Sequence, residues 1–218
     1  CYRYRGIGAK YMYDTVVIGA GIVGCAIARE LSKYELDICV IDAGSDIAEG
    51  TTKANSAIVH AGYDAKPGPL KAQYNVEGNA MFSQLAKDLD FEFKPIGSLV
   101  LRFEGGDPDG LEQLKERGEI NGVPDMRIVG RDELLEMEPN ISDEATDALF
   151  APTGGIVCPY GMTEAYAENA CSNGVDFIFN ARVTSIMRKG GIYSVESNGK
   201  KYRARSIVNA AGLFGDEI

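Results

Sequence analysis

The chain has 218 residues, 45% of them hydrophobic and 25% charged, with 32 acidic and 22 basic side chains and a net charge of −10. That length suits one large globular domain, or one domain with part of a second. An acidic chain without a Lys/Arg run offers no overall electrostatic footprint for nucleic acid or an anionic membrane, so an anionic substrate needs a local group of positive side chains.

Thr15, Val16, Val17 and Ile18 form a short apolar run closed by Gly19, a buried-strand signal. Val23, Ile27 and Leu31 then recur every four residues beside Ala26 and Tyr34, which predicts a helix. Residues 36–41 read as a second buried strand ending at Asp42. Strand, helix and strand within roughly 30 residues make a βαβ unit with parallel strands. A polar stretch covers 44–55. Leu70, Tyr74, Met81, Leu85 and Leu89 predict a helix over 70–89, and 96–103 reads as a strand. Helices are expected over 112–118 and 132–137, with a short strand near 126–129 between them. Short strands at 148–150 and 156–158 flank the turn at Pro152, Thr153, Gly154 and Gly155. A helix over 162–172 is closed by Asn173 and Gly174. Residues 175–179, 183–187, 193–196 and 201–205 are strand candidates, and 207–209 form a last buried strand before Ala210, Ala211 and Gly212.

Five cysteines (Cys1, Cys25, Cys39, Cys158 and Cys171) form no CxxC pair and lack metal-ligand spacing. The expectation is free thiols in a reducing compartment and no metal site. No apolar run reaches the ~18–20 residues of a membrane span, and the opening residues do not lead into a signal-peptide core. A cytoplasmic protein is expected, with any membrane contact peripheral. Met12 stands just ahead of the first strand, and Ile218 falls in what reads as the first turns of a helix. These ends suggest a fragment in which residues 1–11 are extraneous.

Gly19, Gly21 and Gly24 make a GxGxxG that follows a strand and opens a helix. The first glycine permits the tight turn, the second lets backbone approach a pyrophosphate, and the third lets helix and strand pack closely. Asp42, 18 residues beyond Gly24, stands near the spacing of a carboxylate that grips ribose hydroxyls. The pattern alone does not separate FAD from NAD. A buried strand running into Ala210, Ala211 and Gly212 brings bare backbone to a second point on a bound cofactor, which favours FAD.

The stretch from Tyr13 to Gly24 resembles the opening of the D-amino-acid-oxidase-like FAD superfamily. Asn55 to Tyr63, followed by Lys66 to Ala72, is similar to the branch of L-2-hydroxyglutarate dehydrogenases and oxidases and anaerobic-type glycerol-3-phosphate dehydrogenases. Ala151 to Tyr160 leans toward the glycerol-3-phosphate members, since hydroxyglutarate enzymes usually carry an acid where Cys158 stands. The resemblance runs over residues 12–218.

It implies an α/β fold: a Rossmann-like FAD-binding domain (12–69 and 160–218) interleaved with a mixed-sheet α+β substrate domain (70–159). Gly19, Gly21 and Gly24 would line the FAD pyrophosphate, and Asp42 would hold the adenosine ribose. Thr51, Thr52 and Ser56 match the polar loop that meets the phosphates and approaches the flavin. Val183 matches a backbone contact to adenine, and Ala211 and Gly212 match the second FAD turn. Lys53 stands where relatives often have Arg and receives no role. The implied reaction moves hydride from a small anionic hydroxy substrate to flavin, with a quinone or redox protein taking the electrons on. His60, the only histidine, suits the base that removes the hydroxyl proton; contact with flavin or substrate, or a structural role, stays open. Cys158 has no resolving partner for a redox role. An amine or amino-acid oxidase of the same superfamily, an inert FAD-binding fragment and an NAD(P)-dependent dehydrogenase are the rival readings.

Overall fold

A computed structural model describes residues 12–218. Residues 1–11, including Cys1, lie outside it. The described chain divides into two compact units, one holding residues up to 56, 89–91 and 158–218, the other 57–88 and 92–157.

The first unit is built on a six-stranded sheet in the order β10-β11-β12-β1-β2-β9. β1 (Met12–Ile18) lies at its centre, parallel to both β2 (Ile38–Ile41) and β12 (Lys200–Asn209). β9 (Asp176–Ile178) extends the parallel part beyond β2, whereas β10 (Val183–Lys189) and β11 (Ile192–Ser197) form an antiparallel meander with β12. All four residues of β2 are buried, as expected of a strand covered on both faces. Val16, Ile18, Cys39, Ile41, Val195, Tyr202 and Ala204 share one core cluster. Alternation turns Val17 and Val40 to the opposite face, where both are buried. Helix α1 (Ile22–Leu31) packs against α5 (Pro159–Ser172). Its buried residues are the small Gly24, Cys25 and Ala28, which allow close approach.

The second unit carries two three-stranded antiparallel sheets. One is β5 (Ser98–Phe103), β7 (Ala145–Ala151) and β6 (Arg127–Gly130), with β7 in the middle. The other joins β3 (Ile58–Val59) and β4 (Phe93–Lys94) through β8 (Gly155–Val157). The helices here are α2 (Leu70–Leu89), α3 (Gly110–Asn121) and α4 (Arg131–Met137). Leu111, Val123, Met126, Leu149 and Ala151 form the main core of this unit.

The mixed α/β architecture matches the expectation, with differences in detail. The strand candidates 201–205 and 207–209 are one strand, β12. It serves both parts of the sheet, since Ala204 sits opposite Tyr193 in the meander and Tyr13 in the parallel layer. Beyond Gly212 the chain makes a single 3-10 turn, Gly212–Phe214, rather than the opening of an α-helix.

Candidate functional site

The carboxyl ends of β1, β2 and β12 converge on a cavity of about 380 Å3 whose wall includes Ile18, Ile41 and Ala210. Ligands of open parallel sheets gather at such strand ends. Backbone bonds tie the ends together: the Gly19 amide donates to the Ile41 carbonyl and the Ala210 amide to the Ile18 carbonyl, each at 2.8 Å.

Gly19 adopts φ +108°, and a Cβ there would strike the Ala210 carbonyl. A Cβ on Gly24 would overlap the Gly19 carbonyl oxygen. Gly24 therefore sits behind the loop, not on the cavity wall, and lets α1 meet the strand end. Gly21 lines the cavity as the N-cap of α1, whose first turn carries no acid. The helix start thus presents amides and partial positive charge without a competing carboxylate. Thr51 lines the same wall. Thr52, 8% exposed, accepts a 3.1 Å bond from the Ile22 amide through Oγ1 and so steadies the helix start.

Asp42 directly follows β2 and is half-buried at the cavity edge. Its Oδ2 accepts from the Ala20 amide at 2.6 Å and its Oδ1 from the Gly44 amide at 2.7 Å. The carboxylate thus staples the glycine loop to the following turn and keeps lone pairs for a further donor. Val183, Ala211 and Gly212 complete the predicted wall. Ser56 is exposed and off the wall. His60 lies in the second unit just after β3; its side chain is exposed, and its carbonyl accepts from Asn75 (3.4 Å) and Asn79 (3.1 Å).

Some wall residues escaped sequence reasoning. Glu49 lines the cavity, and bonds from the Ser45 hydroxyl (2.8 Å) and amide (3.0 Å) hold its carboxyl below the usual range. Arg182, beside Val183, lines it too, with its guanidinium carbon 5.9 Å from the Phe214 ring centre. The polar run 44–55 was the signal for Glu49; nothing local marked Arg182.

The thiols nearby are inert. Burial, with Asp42 adding to it, pushes Cys25 up to about 12, and burial raises Cys39 further. Cys25, Cys39 and Cys158 are free thiols. Cys158 is exposed and accepts the Gly161 amide at 3.4 Å as the N-cap of α5. Among the described residues no His, Cys, Asp or Glu cluster is placed to hold a metal, and no helix is long and apolar enough to cross a membrane.

A family model described as DAO, FAD dependent oxidoreductase, matches residues 14–218. The chain is 48% identical over 207 residues to a glycerol 3-phosphate dehydrogenase of Caloramator mitchellensis, covering 95% of this chain and 43% of that protein. It is 31% identical over 210 residues to an L-2-hydroxyglutarate dehydrogenase of Escherichia coli K12, covering 95% and 49%. Dithionite-reduced L-alpha-glycerophosphate oxidase from Mycoplasma pneumoniae, solved with FAD bound, superposes with a TM-score of 0.89 at 29% identity, covering 95% of this chain and 56% of that one. The chain spans about half the length of the curated relatives it matches.

Proposed function

The chain belongs to the DAO family of FAD-dependent oxidoreductases, and from that premise we propose that the protein oxidises a small anionic hydroxy compound of the glycerol 3-phosphate or L-2-hydroxyglutarate type. The observation that carries the reading is the cavity at the ends of β1, β2 and β12, in a chain 48% identical to a glycerol 3-phosphate dehydrogenase.

The wall residues fit the adenosine-diphosphate part of FAD. Gly19 and Gly21 expose bare backbone beside the start of α1, which suits a pyrophosphate. Thr51 supplies a hydroxyl, and Thr52, which also lines the wall, holds the Ile22 amide. Asp42 and Glu49 are acceptors for ribose hydroxyls, while Val183, Ala211 and Gly212 offer backbone and small side chains to the adenosine. Ser56, off the wall, receives no role.

When bound, the flavin supplies the acceptor for the hydrogen on the substrate carbon. His60 takes the hydroxyl proton as that hydrogen leaves, so the alcohol becomes a carbonyl with one proton held on the imidazole. Positive side chains must bind the substrate's anionic group. A quinone or redox protein accepts the electrons afterwards.

The test uses the complete protein: its visible spectrum is recorded, and it is mixed anaerobically with glycerol 3-phosphate, L-2-hydroxyglutarate and amino acids. Bleaching by a hydroxy compound is expected. Bleaching by an amino acid alone, with both hydroxy compounds inert, would overturn the reading.

A further inference from the structure

Charge is segregated along this chain. Residues 182–205 hold seven Lys/Arg and one Glu, a net of +6, which leaves −16 on the remainder of a chain whose total is −10. Antiparallel pairing folds most of this stretch into the β10–β12 meander. One row across it is Met187, Ser194 and Arg203, and the next is Ser185, Glu196 and Lys201. Lys189 pairs with Ile192 beyond the first row, and Arg205 follows Arg203 on the same face. This face lies opposite the buried Val195, Tyr202 and Ala204.

Neither sheet protection nor stability accounts for these cations. Lysine on an edge strand guards against strand addition, and β10 is an edge. Lys201, Arg203 and Arg205, however, stand on β12, inside the sheet. The ion pairs of Lys201 with Glu196 (3.9 Å) and of Arg205 with Asp14 (3.2 Å) involve basic side chains 58% and 66% exposed. Such surface pairs add little to folding. Met187, 55% exposed, sits among the cations.

We propose that the outer face of β10–β12 docks the protein on an anionic lipid surface. Its cations, Lys189 on β10 and Lys201, Arg203 and Arg205 on β12, are spread over two strands rather than gathered into a clamp for one group. Met187 and Ile192 between them supply apolar contact at headgroup depth. The remaining −16 is repelled by the same surface, so the meander is the side that turns toward the lipid. The docking is independent of the substrate proposed above.

The experiment sediments the full-length flavoprotein with vesicles of phosphatidylcholine containing about 30% phosphatidylglycerol, and with pure phosphatidylcholine. Binding is expected only to the anionic vesicles at low salt, and it should vanish near ~0.5 M salt, where screening shortens to a few ångströms. Lys189→Glu with Arg203→Glu should weaken it at least about tenfold. Lys33→Glu with Lys87→Glu, an equal charge change elsewhere, should weaken it far less. Unchanged flavin absorbance and circular dichroism show that both double variants are folded. Equal binding to neutral vesicles, no binding at low salt, or equal loss in the two double variants would overturn the proposal. Capture of poly-L-glutamate without capture of anionic vesicles would also overturn it, in favour of an acidic protein partner.

Discussion

Gly24→Ala opposes two effects whose relative size the structure decides. Gly24 is the third residue of α1, in its first turn, where replacing glycine by alanine stabilises a helix by at most the interior value of about 0.5–1 kcal/mol. Here the added Cβ would overlap the Gly19 carbonyl oxygen, a backbone atom that cannot rotate aside. Relief requires α1 to retreat from the glycine loop, and overpacking of this kind costs about 1–3 kcal/mol. The expected net is a loss of about 1–2 kcal/mol, roughly a tenfold shift in the unfolding equilibrium, with weaker retention of flavin. Gly78→Ala is the internal comparison, because Gly78 lies within α2 and a Cβ there meets nothing within 4 Å. That change should stabilise by about 0.5–1 kcal/mol. Urea denaturation of both variants, followed by circular dichroism and flavin fluorescence, reads the two signs directly. If Gly24→Ala proved as stable as the parent, or moved in step with Gly78→Ala, the close helix–loop packing would not be what the glycine provides.

Asp42→Ala removes the acceptor of the Ala20 and Gly44 amides and should lower stability by about 1–3 kcal/mol while releasing flavin; equilibrium dialysis and denaturation check both. His60→Gln should slow anaerobic flavin reduction by about 100-fold or more with flavin content unchanged, measured by stopped flow. An unchanged rate would remove His60 from proton transfer. The Cys25 thiol, raised from 9.0 to about 12, is neutral when protonated, so its burial favours folding fully below pH 9. That contribution declines as pH rises from 9 toward 12, because the unfolded thiol ionises first. Denaturation midpoints should fall over this range, and less steeply in Cys25→Ala; parallel slopes would show that other groups govern the alkaline limit.

The parts of the site read most easily from the chain are those set by contacts near in sequence. Gly19, Gly21 and Asp42 belong to one βαβ unit, whose spacing alone predicts where they meet. Arg182 could not be found this way, since its loop is brought to the cavity by long-range bonds. The Asn180 amide donates to the Gly44 carbonyl (2.6 Å), and the Ala181 amide to the Asp42 carbonyl (2.8 Å). Ser56 shows the converse. Closeness in sequence to Thr51 suggested shared contact, yet the 3-10 turn ends at Lys53 and Ala57 takes φ +62°. β3 and β4, two residues each, are too short to carry a period and exist through pairing with β8. β12 reads as two strands because Arg205 and Ser206 interrupt its apolar pattern where it passes from the meander into the parallel layer.

The pairing of β1 with β12 also sets an order of events during synthesis. Met12 lies opposite Arg203 and Ile18 opposite Asn209, so the central strand waits for a partner 191 residues later. Closure over such a separation is slow relative to local pairing. β5, β6 and β7, all within residues 98–151, can pair while β1 is still open on one side. The glycine loop gains its Ala210 neighbour only after the ribosome has passed that residue. The cavity is therefore completed late, and a nascent chain that ends before Ala210 has one wall missing where the cofactor is to be held.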